Sequence, residues 1–439
     1  MSTWRNWAGS VEATPSAVVA PHDEAELIGC LVAAAERRGR VRPVGSGHSF
    51  TAIAAPVDVQ LRLDHLTGVL SADVDETTGA GRVRVRAGTA LHELNTALAA
   101  HGLALPNLGD VDRQTLAGAT ATGTHGTDAT LPGLAAGITG LRLVTPDGTS
   151  RWVGDGAAPD APDLHAVQVS LGALGVVTEV ELACVPAFVL RATERPGTLP
   201  RVLAGFDELV AAHRHVEMYW FPHTDRVQTK VDDVLPAGEP ETPLPRWRRT
   251  LDDELLANTV FGALNAGLAR APRLIPAVNR VTARALTART YTGASHEVLC
   301  TPRDVRFHET EWAIPRAALP EALAALDRWI ETSGERVSFP VEVRVAAADE
   351  AWLSTGYRRD NAYVACHHDA RRDPTRYVAA VQQIMTALEG RPHWGKMHTL
   401  GAEQLARLYP RHGDVVALRD RLDPGRVLTN PYLDRVLGP

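Results

Sequence analysis

The sequence predicts an α+β protein of more than one domain, and three observations carry that expectation. Residues 57–63 and 82–87 alternate apolar and polar side chains with the period of two that a half-buried strand requires. Capped stretches with leucine and alanine at helical spacing lie among such strands. Three turns made almost wholly of small residues each adjoin a strand. At 439 residues the chain is too long for one compact core, so two domains, or three, are expected.

Composition narrows the class. Hydrophobic content of 45% and charged content of 22% are ordinary for a soluble globular protein. A net charge of -7 argues against a nucleic-acid partner. Cys30, Cys184, Cys300 and Cys366 are far apart and form no C-x-x-C pair, so they read as reduced core residues of a cytoplasmic protein. Met1-Ser2-Thr3-Trp4-Arg5-Asn6-Trp7 has no apolar signal-peptide run, and no stretch of about 18 apolar residues spans a membrane.

Residues 21–39 read as a helix, with Asp23 and Glu26 as a capping box, Leu27, Leu31 and Ala34 as its buried stripe, and Gly39 as its end. The strand 41–44 then enters Gly45-Ser46-Gly47-His48-Ser49-Phe50. Gly45 and Gly47 permit positive φ and close approach of backbone N–H groups, while Ser46 and Ser49 add hydroxyls. Such a donor set suits an anion, a pyrophosphate above all. Phe50 stands where G-x-G-x-x-G needs its last glycine, so the nicotinamide-dinucleotide fingerprint fails. A plain turn is the simpler alternative.

Thr89 is expected to cap a helix carrying Leu91, Leu94 and Leu98 and closed by Gly102. Residues 117–127 are almost all Gly, Ala or Thr, which suits backbone lying against a flat ligand; a flexible loop is the other reading. Residues 138–145 and 150–153 form a hairpin across Pro146-Asp147-Gly148. The third small-residue turn, 170–175, leads into another strand.

In this order and spacing, R-P-V-G-S-G-H-S-F (42–50), A-G-A-T-A-T-G-T-H-G-T (117–127) and L-G-A-L-G-V-V-T (171–178) resemble the FAD-binding domain of the vanillyl-alcohol-oxidase-type (PCMH-type) flavoproteins. Among these, the sugar-lactone and alditol oxidases are the nearest in pattern. The resemblance implies a two-subdomain FAD-binding domain over 10–184 and a substrate (cap) domain over 185–415, with an antiparallel sheet flanked by helices. Residues 416–439 would return to the FAD domain. It implies FAD joined covalently through His48, with Pro43, Val44, Gly45, Ser46, Gly47 and Ser49 holding the pyrophosphate. Thr115, Gly118, Thr122, Gly123, Thr124 and His125 would line the flavin, and Val177 would lie near the adenine. Gly109, with Asp110 beside it, falls at the flavin edge, where a glycine leaves room for O2. A neutral imidazole is a nucleophile near neutral pH, so the link at His48 is chemically sound; a turn histidine that only hydrogen-bonds is the alternative.

In the second half, residues 217–225 and 227–231 read as two strands. Pro236, Pro240, Pro243 and Pro245 mark an exposed connection. Residues 251–290 are helical, interrupted at Pro272 and Pro276. Arg270, Arg273, Arg280, Arg284 and Arg289 give this piece a basic face, either simply solvated or in peripheral contact with an anionic membrane. Another helix is expected over 317–333. In the strand 340–345, Val341, Val343 and Val345 share one face and Glu342 with Arg344 the other, which fits an exposed edge or the floor of a polar pocket.

P-V-E-V-R (340–344) and R-P-H-W-G-K (391–396) together resemble the cap signature of the aldonolactone oxidoreductases, as do W-F-P-H (220–223) and E-W-A-I-P-R (311–316). This implies that Glu342 and Arg344 orient and activate the substrate hydroxyl and that His393 contacts the flavin. Lys396 would sit by the flavin N1/C2 carbonyl as a fixed cation where negative charge develops. Gly395 replaces an alanine common among sugar-lactone relatives, and Asp110 replaces a serine of the alditol oxidases. A metal site built from His367, His368, His393 and His398 competes, but their spacing fits no helical two-histidine motif and no metal is expected. The implied reaction removes hydride from C2 of an aldono-1,4-lactone and passes electrons to O2 or another acceptor. The alternatives are an alditol oxidase acting on xylitol- or sorbitol-like polyols with release of H2O2, and a flavin-holding protein without catalysis. Oligomeric state is left open.

Overall fold

The computed structural model describes residues 3–245, 259–301 and 305–439. Its α+β architecture agrees with the expectation. A three-stranded parallel sheet has Val59–Arg62 between Ala17–Val19 and Val41–Val44. An antiparallel sheet follows in the order Ser150–Gly154, Ile138–Val144, Val176–Pro186, Gly81–Arg86, Val69–Val74. The expected hairpin across residues 146–148 is the first pair of this second sheet.

Local rules hold with small shifts. The first helix spans Glu24–Glu36; Asp23 Oδ1 accepts from Glu26 N–H at 2.9 Å, but the Glu26 carboxylate reaches His22 N–H, one residue before the cap. The chain turns out of this helix at Arg38 (φ 53), not at Gly39. Thr89 does not cap the helix Leu91–Ala100. Its hydroxyl donates to Arg86 O at 2.6 Å and accepts from Gly68 N–H at 2.9 Å, so a neighbouring turn has claimed it.

The second half is organised by an eight-stranded antiparallel sheet. Its order is Arg289–Ala294, Val189–Thr198, Arg226–Val234, His215–Trp220, Val341–Ala346, Asn361–Asp369, Phe307–Pro315, Arg391–Pro392. Period two gives it two unlike faces. On one, Met218 pairs with Val343, Trp220 with Val341, and Trp312 with Val364. These residues share a core with Leu323, Leu326 and Ile330 of the helix Leu319–Ser333 and with Tyr377, Val381 and Met385 of Thr375–Ala387. On the other face the same register lines up Glu217 with Lys230, Tyr219 with Glu342, and Glu309 with His367. A one-residue slip would bury every charge among the helices, so the pairing is strongly specified.

Helices Phe261–Arg270 and Ile275–Arg284 flank a turn at Pro272–Leu274; the part of the expected helical stretch at 251–258 lies outside the described residues. Pro276 opens the second helix instead of interrupting one. Arg270, Arg273, Arg280 and Arg284 are exposed, but Arg289 is not part of that face: it lies on the sheet, 2.7 Å from Glu194. Among the described residues no helix is long and apolar enough to cross a membrane. The last helix, Pro431–Leu437, is capped by Asn430, whose amide also donates to the carbonyls of Ala52, Ile53 and Ala55 at 3.0, 3.1 and 3.0 Å. The chain's end is thereby fastened beside the glycine turn.

Candidate active site

Two cavities meet beside His48. The first, about 220 Å³, is lined by the turn from Pro43 to Ser49 together with Thr115, Gly118, Thr122 and Val177. The second, about 280 Å³, is lined by Gly109, Asp110, Thr124 and His125 and by Glu342, Arg344, His393 and Lys396. His48, Ser49, Gln114 and Thr122 belong to both. Gly123 lines neither: at φ 80 it ends the helix Leu116–Thr122, which Thr115 opens by accepting from Gly118 N–H at 3.3 Å.

The two glycines of the turn are needed for different reasons. Gly47 takes φ 72, as expected, but Gly45 is not in the left-handed region. At Gly45 a Cβ would lie 2.3 Å from Thr115 Oγ1, so close packing demands the glycine. Among the described residues none accepts a hydrogen bond from the backbone N–H groups of Ser46, Gly47, His48 or Ser49. A row of spare donors in a small-walled chamber fits the pyrophosphate of FAD. The larger, charged second chamber fits its ring system, and His48 stands where the two join. Burial, with Lys396 and Arg113 nearby, pushes the His48 imidazole down to about 4, and it stacks on Trp7 at 5.8 Å. A Cβ at Gly109 would meet His125 O and Thr124 Cγ2, both at 3.1 Å, so packing against this backbone is a further reason for glycine there.

The second chamber is built by the polar face of the large sheet. Glu342 and Arg344 are 4% and 6% exposed on an interior strand, which rules out the exposed-edge reading. Arg344 Nη2 is 2.5 Å from Glu342 Oε1 and 3.5 Å from Glu217 Oε1, while Nη1 is 3.5 Å from Asp110 Oδ1. Burial pulls the guanidinium down, but Glu342, Glu217 and Asp110 outweigh it and hold Arg344 well above its ordinary value. Across the chamber, Lys396 Nζ donates to Glu309 Oε2 at 2.6 Å. Burial again works against the charge, and Glu309 with Glu311 keeps the Lys396 ammonium above its ordinary range.

His393 is driven down to about 3 by burial; its Nδ1 accepts from Gly395 N–H at 3.0 Å. His125 stacks on Tyr363 at 3.5 Å, and its Nε2 lies 3.2 Å from Glu311 Oε1. His125, Glu311 and His393 bring ligand-type atoms within 4.8 Å of one another, a different set from the histidines the sequence suggested. His367 and His368 are strand neighbours and so face opposite ways, and His398 is engaged with Tyr432 OH at 3.0 Å.

Sequence reading missed Glu309, Glu311 and Gln114, which line the second chamber, and Glu217 behind it; His367, weighed only as a metal ligand, lines that chamber too. The signal was present for the first two: in Phe307–Pro315 they alternate with Thr310 and Trp312 as Glu342 and Arg344 do with valines.

Residues 180–436 match the D-arabinono-1,4-lactone oxidase family, and residues 15–154 match an FAD binding domain. Over 436 residues the chain is 40% identical to L-gulono-1,4-lactone dehydrogenase of Mycobacterium tuberculosis, covering 99% of each chain. Alditol oxidase of a Streptomyces species is 34% identical over 98% of each. L-gulonolactone oxidase of Mus musculus is 30% identical over 99% of this chain and 98% of the other. Cholesterol oxidase from Brevibacterium sterolicum shares the fold with a TM-score of 0.79 at 18% identity, over 99% of this chain and 96% of that one. Two cavities meeting at a histidine thus coincide with sequence kinship over the whole length: the chain belongs to the D-arabinono-1,4-lactone oxidase family of FAD-dependent oxidoreductases.

Proposed function

We propose that the chain oxidises the C2 hydroxyl of an aldono-1,4-lactone of the gulono, galactono or arabinono type. The observation that carries this is the buried Glu342–Arg344 pair facing the same chamber as Lys396 and His48. FAD, when bound, supplies the acceptor for the hydride. The backbone of residues 43–49 and Val177 hold its pyrophosphate and adenine end; Thr115 and Gly118, expected along the flavin, line that first chamber instead. Gly109, Asp110, Thr122, Thr124 and His125 surround the ring, and Gly123 shapes the helix end behind them. His48, neutral at physiological pH, offers a lone pair for the covalent link. We divide the chain into FAD-binding residues 10–184, cap residues 185–415 and a closing segment 416–439.

In this reading the Glu342 carboxylate accepts the hydrogen bond of the substrate hydroxyl and takes its proton as the carbon is oxidised. Arg344, 2.5 Å from Glu342, orients the same oxygen. Lys396, held by Glu309, lends the ring chamber a fixed positive charge in a site shielded from water. His393 stays neutral and gives the ring a polar neighbour that adds no charge.

The test is anaerobic mixing of purified protein with L-gulono-, L-galactono- and D-arabinono-1,4-lactone, and separately with xylitol and sorbitol. Bleaching of the flavin band by a lactone is expected. The Streptomyces alditol oxidase, similar over 98% of both chains, makes a polyol the second reading; bleaching by xylitol alone would establish it and end the lactone proposal. Formation of H2O2 on readmitting air distinguishes an O2-using oxidase from a dehydrogenase.

A further inference from the structure

The charged face of the large sheet continues past Arg344, away from Lys396. The register sets Glu217 directly opposite Lys230, and His215 opposite Asp232. Glu217, Lys230 and Asp232 are 5%, 9% and 0% exposed. Lys230 Nζ lies 3.2 Å from Asp232 Oδ2 and donates to Val298 O at 2.9 Å. Glu217 Oε2 accepts from Tyr219 OH at 2.7 Å, while Oε1 faces Arg344. Read across three strands, the charges alternate: Asp232, Lys230, Glu217, Arg344, Glu342.

The fold does not require this row. An apolar pair at Glu217 and Lys230 would be no less stable than buried ions, whose desolvation cancels most of their attraction. The two carboxyls on either side of Lys230 also differ. Burial raises Asp232 to about 7 despite Lys230. Burial acts upward on Glu217 too, but Lys230 and Arg344 outweigh it and keep this carboxyl below its ordinary value.

We propose that Glu217 and Lys230 are positioning residues for the oxidation: Lys230 keeps Glu217 ionised, and ionised Glu217 grips the face of Arg344 turned away from the substrate. The inference rests on Glu342 and Arg344 acting on the substrate hydroxyl. Other charged or titratable groups face the row. They include Glu194 and Arg289, paired at 2.7 Å, with Tyr291, His215 and Tyr219 on the sheet, Cys300 beyond it, and Asp110 from the FAD side. Each stays in place in the variants below.

The experiment compares kcat against pH for the flavin-loaded wild type, Glu217→Gln, Lys230→Met, Lys230→Arg and the double variant, using whichever donor bleaches the flavin. Glu217→Gln should lower kcat roughly tenfold at every pH. Lys230→Met should add an ionisation above neutral pH: slow like Glu217→Gln at low pH, climbing toward wild type as Glu217 loses its proton. The double variant should lack that ionisation, and Lys230→Arg should follow the wild type. Infrared spectra of the resting protein supply a readout that needs no substrate. Asp232, released from Lys230, gives a protonated-carboxyl band in Lys230→Met and in the double variant alike; Lys230→Met should show a further such band at neutral pH, from Glu217, that the double variant lacks. A Lys230→Met profile parallel to wild type, or equal carboxyl bands in Lys230→Met and the double variant, overturns the proposal. If neither lactone nor polyol is turned over, the substrate reading falls while the infrared comparison still decides the Lys230–Glu217 pairing.

Discussion

Lys396 and His48 are the two side chains whose chemistry depends most on what surrounds them. Lys396 is a half-buried ammonium kept charged by Glu309 at 2.6 Å. Lys396→Met removes that charge and leaves the Glu309 carboxylate facing the chamber, so flavin reduction should slow by about a hundredfold, the scale on which one preorganised electrostatic partner acts. Stopped-flow reduction with a saturating donor measures this, and a rate within threefold of wild type would mean the charge is idle. His48 is neutral down to about pH 4. Acid-precipitated wild type should therefore give a yellow pellet and His48→Ala a white one; a yellow His48→Ala pellet would place the link elsewhere. At this scale the sequence was informative where chemistry follows from alternation, as for Glu342 and Arg344. It misled at Gly45, where the need for glycine comes from Thr115 some seventy positions away, which no local rule of backbone conformation contains.

The eight-stranded sheet turns sequence alternation into a wall with an oily back and a charged front. With Trp220, Trp312 is the largest anchor of the back: fully buried, it donates from Nε1 to Thr310 Oγ1 at 2.9 Å, and its sequence neighbour Glu311 belongs to the front. Trp312→Ala should cost about 3–5 kcal/mol of unfolding free energy through the cavity left behind. Urea unfolding followed by circular dichroism reads this, and a loss under 1 kcal/mol would show that the helices are not packed on this face. The strands at 215–220, 226–234 and 341–346 were legible because each carries its own alternation. The partners were not. That Glu309 and Glu311 stand near Lys396 depends on Phe307–Pro315 pairing with both Asn361–Asp369 and Arg391–Pro392, a long-range choice invisible in any one segment. The Thr89 cap failed for a related reason: the hydroxyl had two nearby backbone partners to choose from, and the turn won.

Over the whole molecule, distant segments are tied by buried polar groups around the glycine turn. Arg42 donates to Leu428 O and Gly172 O at 3.0 Å each and to Leu171 O at 2.5 Å, so the strand Val41–Val44, the third small-residue turn and the closing segment share one guanidinium. His398, Trp394 and Tyr432 extend this tie toward the cap through Tyr432 OH, 3.0 Å from His398 Nε2 and 3.1 Å from Trp394 O. Such a junction is sensitive to protons. Burial pushes His393 and His398 down to about 3 from an ordinary value of 6.5. Below about pH 6.5 an unfolded chain binds a proton at each of these positions and the folded chain does not. Stability is therefore whole above that pH and declines as the pH falls toward 3, by ~1 kcal/mol per histidine for each pH unit. The melting temperature should accordingly drop steadily between pH 7 and 5. His398→Gln, which keeps a hydrogen-bonding side chain for Tyr432 but cannot titrate, should melt lower at pH 7 yet lose less on acidification, with its slope reduced by about the share of one proton. Equal slopes for the variant and the wild type would show that His398 takes up its proton in the folded protein, and the junction would then have to hold a charge for which no carboxylate pairs with His398 among the described residues.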